Sequence, residues 1–217
     1  NKNFWTEEKY TDSEIICKTE NSHQHLYSSF ELFSNQEISL ENIHEDKKII
    51  KKFKLNLTQN ETSFFIKKVV NYAEREREVD VEKVWADAIA LRESLKEVEY
   101  DNELVKHIDF WTNSWNNLDI SIEGDDENQQ GVRFCIFNLV QTYHGNDPTL
   151  NVGAKGLTGE YYYGWTWWDT ETYCLPFYMF SNPTASRSLL EYRYNTMPQA
   201  LERAKEMQCE GACYPMG

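Results

Sequence analysis

The sequence lacks three features that would place it in other classes of protein. It has no apolar run near the roughly 20 residues that a membrane-spanning helix needs, and residues 1–11 are polar and aromatic, unlike a signal peptide. Lys and Arg number only 22 against 36 Asp and Glu, for a formal net charge of −14. Because nucleic acids and anionic membranes are bound through basic patches, this charge argues against both as partners. A neutral ligand fits better.

The sequence also lacks the cysteine pattern of a disulfide framework. The five cysteines are an odd number and widely scattered, in a chain too long for a disulfide-framework miniprotein. We therefore predict a reducing, cytoplasmic location. Cys209 and Cys213 are four residues apart, but no nearby His or Cys pair completes a zinc set, so no metal site is predicted. His23, His25 and His44 lie among polar residues and are interpreted as exposed loop side chains.

The chain has enough apolar residues for one or two cores, at 40% hydrophobic and 14% aromatic. Its first third holds short runs with approximate alternation, which predict two strands within 14–33 and one each within 47–57 and 62–72. The stretch QNETS, at 59–63, is predicted to be the turn of a hairpin that joins the last two strands.

The rest of the chain has helical spacing. The predicted helices cover 81–100, 101–117, 126–143, 169–181, 182–194 and 196–208. Asp101 is predicted to cap the second helix, and Pro176 to interrupt the fourth. Trp85, Trp111 and Trp115 lie on apolar stripes and are interpreted as packing residues. Strands followed by helical pairs, without βαβ alternation, predict a β domain followed by a helical bundle or toroid.

The most informative stretch is GLTGEYYYGWTWWDTE, at 156–171, where aromatic rings and carboxylates are interleaved. A hexose packs its C–H faces on flat rings, and an unpaired hydroxyl in a dry pocket costs about 1–3 kcal/mol, so carboxylate acceptors suit it. Trp168 and Asp169 supply both groups in consecutive positions. From local chemistry alone an alternative stays open, in which Trp165, Trp167 and Trp168 are core aromatics and Asp169 or Thr170 caps the next helix.

Longer stretches of the second half resemble a known family. The segments in question are residues 154–171, LPF at 175–177, LLEYRYNTM at 189–197 and AKEMQCEGACYP at 204–215. Together they resemble the glycoside hydrolase family 65 disaccharide phosphorylases, whose members act on maltose, trehalose, kojibiose and nigerose. DISIEGDDENQQGVRFCIF, at 119–137, also resembles the start of that family's helical domain.

The resemblance implies a multidomain fold of α and β structure. Residues 1–74 would be the C-terminal part of a β-sandwich, 75–117 a helical linker, and 118–217 the first helices of a truncated (α/α)6 barrel. The chain is therefore expected to be a fragment at both ends. Family similarity also implies a possible homodimer.

For function, the resemblance implies inverting phosphorolysis of an α-linked glucosyl disaccharide to β-glucose 1-phosphate and an acceptor sugar. Inorganic phosphate is the co-substrate, and no other cofactor is implied. Phosphate replaces the activated water of an inverting hydrolase, so one general acid suffices. That glutamate is expected beyond Gly217, so no catalytic residue is assigned and the fragment is expected to be inactive. Trp168 and Asp169 are implied to bind glucose.

Four other charged residues lie in the stretches that resemble the family. Glu160 and Glu171 are not assigned as the acid, and Glu171 is interpreted as a charge at a helix N-terminus or a partner of Asp169. Arg133 and Lys155 carry the charge to attract phosphate, but Arg133 is interpreted as a structural ion-pair partner.

The sequence departs from the family pattern at Trp165, where the family usually has His, and at Trp167, where it usually has Phe. Replacing a hydrogen-bonding His by an indole predicts a less polar acceptor, with another hexose, a deoxy sugar such as rhamnose or a longer glucan all open. Three other functions also stay open: an inverting α-glucoside hydrolase, a non-catalytic carbohydrate-binding protein, and a helical protein-interaction domain.

Overall fold

The computed structural model describes residues 4–156, 162 and 165–214. The strands are β1 (Trp5–Tyr10), β2 (Glu14–Thr19), β3 (His25–Ser34), β4 (Leu40–Glu45), β5 (Lys48–Phe53) and β6 (Phe65–Glu74). The helices are α1 (Val81–Ser94), α2 (Tyr100–Leu118), α3 (Asp126–Thr142), α4 (Leu175–Ser181), α5 (Pro183–Asn195) and α6 (Met197–Glu206), and a π-helical turn (Thr170–Cys174) precedes α4. The predicted order of strands followed by helices is confirmed.

The chain divides into two compact units, Asn1–Tyr100 and Asp101–Gly217. In the first, β1, β2, β3 and β6 form a four-stranded antiparallel sheet in that order, and β4 and β5 form a separate pair. Ile16 of β2 lies opposite Tyr27 of β3, and α1 packs Val84 and Ala88 against them. All four side chains are completely buried, so they form the core of this unit.

The predicted hairpin at 59–63 is wrong. β5 pairs with β4, whereas β6 pairs with β3 over ten residues, from His25 opposite Glu74 to Ser34 opposite Phe65. The strands on either side of the turn therefore lie in different sheets. Alternation shows that a strand has a buried face, but it does not identify the partner strand. The sequence pattern also missed β1 and β4, whose residues are mostly charged or polar.

The predicted exposure of His25 is wrong, whereas His44 is exposed as predicted but lies in a strand and not in a loop. His25 is 3% exposed, and its Nε2 lies 3.0 Å from Oε2 of Glu8. His44 lies in β4, stacks on the ring of Tyr10 and has its Nε2 2.9 Å from Oε2 of Glu7. The carboxylate partners lie on β1, far from either histidine in sequence. His23 is exposed, as predicted.

Helix α1 ends at Ser94, earlier than the predicted 100. The ammonium group of Lys68 lies 2.7–3.2 Å from three carbonyl oxygens just beyond that end, those of Leu95, Lys96 and Val98. Carbonyl groups at a helix C-terminus lack intrahelical partners and carry partial negative charge, so a cation there stabilises the end.

In the second unit, Tyr143, Val152, Tyr178, Ala185 and Leu189 form the buried core. The loop after α3 approaches α5 so closely that a Cβ at Gly145 would lie 2.3 Å from the backbone of Ala185, so only glycine fits there. The hydroxyl of Ser188 donates to the Gly145 carbonyl at 2.8 Å, which ties the loop to α5.

The predicted helix over 169–181 is interrupted, as expected, because the π turn gives way to α4 with Pro176 in its first turn. The predicted cap at Asp101 is wrong, since α2 already begins at Tyr100. Trp111 stacks on Trp115 and on Phe137 of α3, so both α2 tryptophans pack as predicted. Each described helix is too short or too polar to cross a membrane.

A first prediction concerns the ion pair of Glu14 and Arg92, whose side chains are 11% and 24% exposed. The Glu14 carboxylate also accepts from the Tyr27 hydroxyl at 2.8 Å and the Thr11 hydroxyl at 2.9 Å. Replacing Glu14 by Gln leaves Arg92 without its buried counter-ion, and we expect the free energy of unfolding to fall by roughly 3 kcal/mol. The measurement is urea unfolding followed through the amide resonances of Ile16 and Tyr27.

The control is Glu93→Gln, which removes a more exposed contact of the same Arg92, at 3.2 Å. This change should cost less than about 1 kcal/mol, because exposed ion pairs contribute little. Equal losses in the two variants would contradict the assignment of Glu14 as the buried partner.

A second prediction concerns Asp119, which is bound by Arg133 through Nε at 2.8 Å and a terminal nitrogen at 2.6 Å. The Arg133 hydrogen bonds lower the pKa of Asp119 below its ordinary 3.8. A lowered pKa in the folded chain means that the stabilisation by this pair is present above the unfolded pKa and is lost as pH falls through the folded one. In an NMR titration of the Asp119 carboxyl carbon, Arg133→Gln should raise the midpoint, and the matched variant Arg187→Gln should leave it unchanged.

Candidate functional site

Trp168 and Asp169 lie where the chain enters the π turn, with both side chains exposed. Trp168 is 63% exposed, so it is not a core aromatic in this structure. The Asp169 carboxylate makes no capping hydrogen bond to the turn that follows. The alternative interpretation of these two residues, as core and cap, is therefore wrong. A ring and a carboxylate stand side by side, facing solvent.

Two concavities among the described residues of this unit do not include the pair. One, of about 500 Å³, lies between α2, the end of α3 and α4. The other, of about 770 Å³, is lined by residues of α5 and α6 together with Thr166 and Tyr214. Trp168 and Asp169 line neither of these two concavities, and both side chains are exposed.

The neighbouring tryptophans differ in environment. Trp165 is 55% exposed, and its backbone N–H donates to the carbonyl of Tyr162 at 2.9 Å. Trp167 is half-buried and meets the ring of Tyr162 edge to face, with centroids 5.4 Å apart. The core interpretation therefore fits Trp167 but not Trp165. Between them, Thr166 pairs with Gly153 in an isolated antiparallel bridge.

Arg193 of α5 holds the chain on both sides of Trp168 and Asp169. Its Nε and a terminal nitrogen donate to the two carboxylate oxygens of Glu171 at 2.7 and 2.8 Å, and that terminal nitrogen also donates to the Trp167 carbonyl at 3.1 Å. The Arg193 and Glu171 side chains are 16% and 28% exposed. The hydrogen bonds that Arg193 donates to the Glu171 carboxylate raise the pKa of Arg193 above its ordinary value, so the guanidinium stays charged.

Sequence reasoning missed Arg193 as a site residue. It lies in the YRY stretch at 192–194, but a single arginine in a helix does not indicate a partner 22 residues earlier in the chain. Glu171 lies in the first turn of the π helix, which agrees with its interpretation as a charge at a helix N-terminus. Its carboxylate accepts two hydrogen bonds from Arg193.

The remaining charged residues named in the sequence analysis are Arg133, Lys155 and Glu160. Arg133 is bound by Asp119, which confirms its interpretation as an ion-pair partner. The Lys155 ammonium lies 5.7 Å from the centre of the Tyr162 ring. Glu160 lies outside the described residues.

The paired cysteines near the end of the chain contact a methionine. The Cys213 thiol lies 3.6 Å from the Met207 sulfur, and the Cys209 thiol donates to the Met207 carbonyl at 3.5 Å. Across the described ranges, no group of three or more His, Cys, Asp or Glu side chains is arranged to hold a metal ion.

This arrangement suits a neutral polyhydroxylated ligand. Trp168 offers an apolar face, and Asp169 offers acceptor oxygens that no cap uses. Glu171 is committed to two hydrogen bonds with Arg193, which leaves Asp169 as the carboxylate available to a ligand at this turn. The described residues therefore offer an exposed ring and an exposed carboxylate, the two kinds of group that suit a sugar.

Comparison with known proteins identifies relatives of this chain. Residues 133–217 match the family described as "Glycosyl hydrolase family 65 central catalytic domain". The chain is 37% identical to maltose phosphorylase of Bacillus subtilis (strain 168) over 80% of its length, and 36% identical to kojibiose phosphorylase of Thermoanaerobacter brockii over 76%. It spans 23% and 21% of those two proteins.

A solved structure agrees with these sequence matches. The structure, "Putative kojibiose phosphorylase from human microbiome", superimposes with a TM-score of 0.81 at 34% identity. The match covers 98% of this chain and 28% of that one. The chain therefore belongs to glycosyl hydrolase family 65, with residues 133–217 in the central catalytic domain of that family.

Proposed function

We propose that a protein carrying this chain over the full length of its relatives catalyses inverting phosphorolysis of an α-linked glucosyl disaccharide, releasing β-glucose 1-phosphate and an acceptor sugar. The observation that carries this proposal is the similarity to maltose and kojibiose phosphorylases over most of this chain. The exposed Trp168 and Asp169 also support the proposal, because an aromatic ring next to a hydrogen-bond acceptor suits the binding of a sugar.

Trp168 and Asp169 are assigned to the glucose subsite of that protein. The Trp168 indole would pack against a C–H face of the pyranose ring, and the Asp169 carboxylate would accept hydrogen bonds from sugar hydroxyls. Both side chains are open to solvent in a chain that spans 23% of maltose phosphorylase, so the remaining walls of the subsite would come from the part of the protein that this chain does not span.

The chemistry follows from a single general acid and phosphate. The acid protonates the leaving glycosidic oxygen while phosphate attacks the anomeric carbon from the opposite face, which inverts the configuration. The chain's own contribution is to hold and orient the glucosyl unit. We assign the acid to the part of the protein outside these 217 residues.

The finer architecture is part of the same proposal. We assign 1–74 to the C-terminal part of a β-sandwich, 75–117 to a helical linker and 118–217 to the first helices of an (α/α)6 barrel. The sheets of the first unit, the helix pairs of the second and the TM-score of 0.81 to the phosphorylase structure support this assignment. A cytoplasmic location is supported by the five cysteines, none of which forms a disulfide.

The test is an assay of the family-length protein on a panel of α-glucosyl disaccharides, with and without phosphate. We expect β-glucose 1-phosphate, detected by NMR, only when phosphate is present. Release of free glucose without phosphate would indicate a hydrolase instead, and sugar binding without cleavage would indicate a non-catalytic binder.

A separate prediction concerns the acceptor sugar. Because Trp165 replaces the hydrogen-bonding His of the family, we expect a rhamnose-linked glucoside to be cleaved more efficiently than maltose. Equal kcat/KM for the two substrates would contradict the assignment of Trp165 to a less polar acceptor site.

A further prediction concerns the assigned subsite. Asp169→Asn keeps the shape but weakens charge-assisted hydrogen bonds, and we expect kcat/KM for phosphorolysis to fall roughly 10- to 100-fold. Trp168→Ala removes the stacking face and should lower it by roughly tenfold. The matched control is Asp109→Asn, an exposed aspartate on α2, which should leave kcat/KM unchanged. Wild-type kinetics in both Asp169→Asn and Trp168→Ala would remove these residues from the glucose subsite.

A further inference from the structure

We propose that Arg193 is a positioning residue for the glucose subsite: through Glu171 and the Trp167 carbonyl, it fixes the backbone direction from which Trp168 and Asp169 meet the sugar. This inference rests on the proposed function, in which those two residues bind glucose. Arg193 itself is not assigned a contact with the sugar.

The contacts enclose the two binding residues. One guanidinium group binds the Trp167 carbonyl on one side and the Glu171 carboxylate on the other, at 2.7–3.1 Å. Between these anchors lie Trp168, Asp169 and Thr170. Thr170 is buried, and its hydroxyl donates to the Val152 carbonyl at 3.3 Å. The three-residue segment is therefore held at its last residue, Thr170, and at both flanking residues. Its other two side chains are exposed to solvent.

The backbone held in this way is irregular. Thr170–Cys174 is a π-helical turn, a conformation that is rare and is frequently found at functional sites. The N–H groups of Glu171 and Thr172 both donate to the Trp168 carbonyl, at 3.0 and 3.2 Å, so the turn begins directly at the binding pair. An irregular turn needs contacts from outside itself to hold one conformation, and Arg193 provides them from α5.

The chemistry requires an arginine. The planar guanidinium has parallel N–H groups that fit two carboxylate oxygens, and it has a further N–H for the carbonyl. A lysine ammonium is a single point charge and does not reproduce all three bonds. Arg193 is itself anchored, because the Tyr214 hydroxyl donates to its backbone carbonyl at 2.7 Å. Its side chain is 16% exposed, so solvent competes little for these bonds.

Helix α5 offers a matched comparison. Arg187 pairs with Glu191 at 2.8 Å in an i,i+4 arrangement, but its side chain is 80% exposed. A pair of that kind contributes little to stability and holds no second segment. The same helix therefore carries one arginine that ties the binding turn and one that does not.

The experiment compares Arg193→Lys with Arg187→Lys in the family-length protein, measuring kcat and KM for the disaccharide and the urea midpoint. If Arg193 acted only on global stability, the active fraction and the apparent kcat would fall while KM stayed constant. Positioning predicts instead that KM rises about tenfold or more in Arg193→Lys, with Arg187→Lys at the wild-type value. An unchanged KM in Arg193→Lys would overturn the inference.

A second readout does not depend on activity. Hydrogen exchange of the amides at 170–172 should be faster in Arg193→Lys than in Arg187→Lys, because the turn loses two of its anchors. If the wild-type protein shows no phosphorolysis, the proposed function fails, and faster exchange at these amides still supports the positioning by Arg193. Equal exchange in the two variants overturns the positioning, whatever the activity.

Discussion

The guanidinium group of Arg193 is the contact on which the candidate site depends. It joins α5 to the chain on either side of Trp168 and Asp169, and it does so from a largely buried position. That contact acts together with the Thr170 hydroxyl on the Val152 carbonyl to hold the chain at the start of the π-helical turn, directly after the exposed indole and carboxylate. The buried core of the second unit, with Leu189 and Ala185 on the same helix, supplies the rigid base for α5.

The sequence was sufficient for the local features of this fold. The helices at 126–143 and 182–194 were predicted within one or two residues, because the spacing of their apolar residues and the flanking polar residues are local signals. Trp168 and Asp169 could also be singled out, since adjacent ring and carboxylate are visible in the chain. The exposure of these two side chains could not be predicted, because it depends on which residues pack around them in the folded chain.

The sequence did not reveal which residues far apart in the chain contact each other. The strand after QNETS joins β3 and not β5, His25 is covered with a carboxylate from β1, and Glu171 finds its partner on α5. Each of these is a contact between residues that are far apart in sequence, and no periodic pattern identifies the partner. The contacts just beyond the end of α1 are of the same kind, since the lysine that binds the carbonyl groups there lies on β6.

The most direct test of this account is a crystal structure of the family-length protein with glucose bound. The account predicts the Trp168 ring in van der Waals contact with a C–H face of the sugar, and the Asp169 carboxylate about 2.6–3.0 Å from a sugar hydroxyl. A glucose bound in the central catalytic domain, with both side chains out of contact with it, would contradict the assignment.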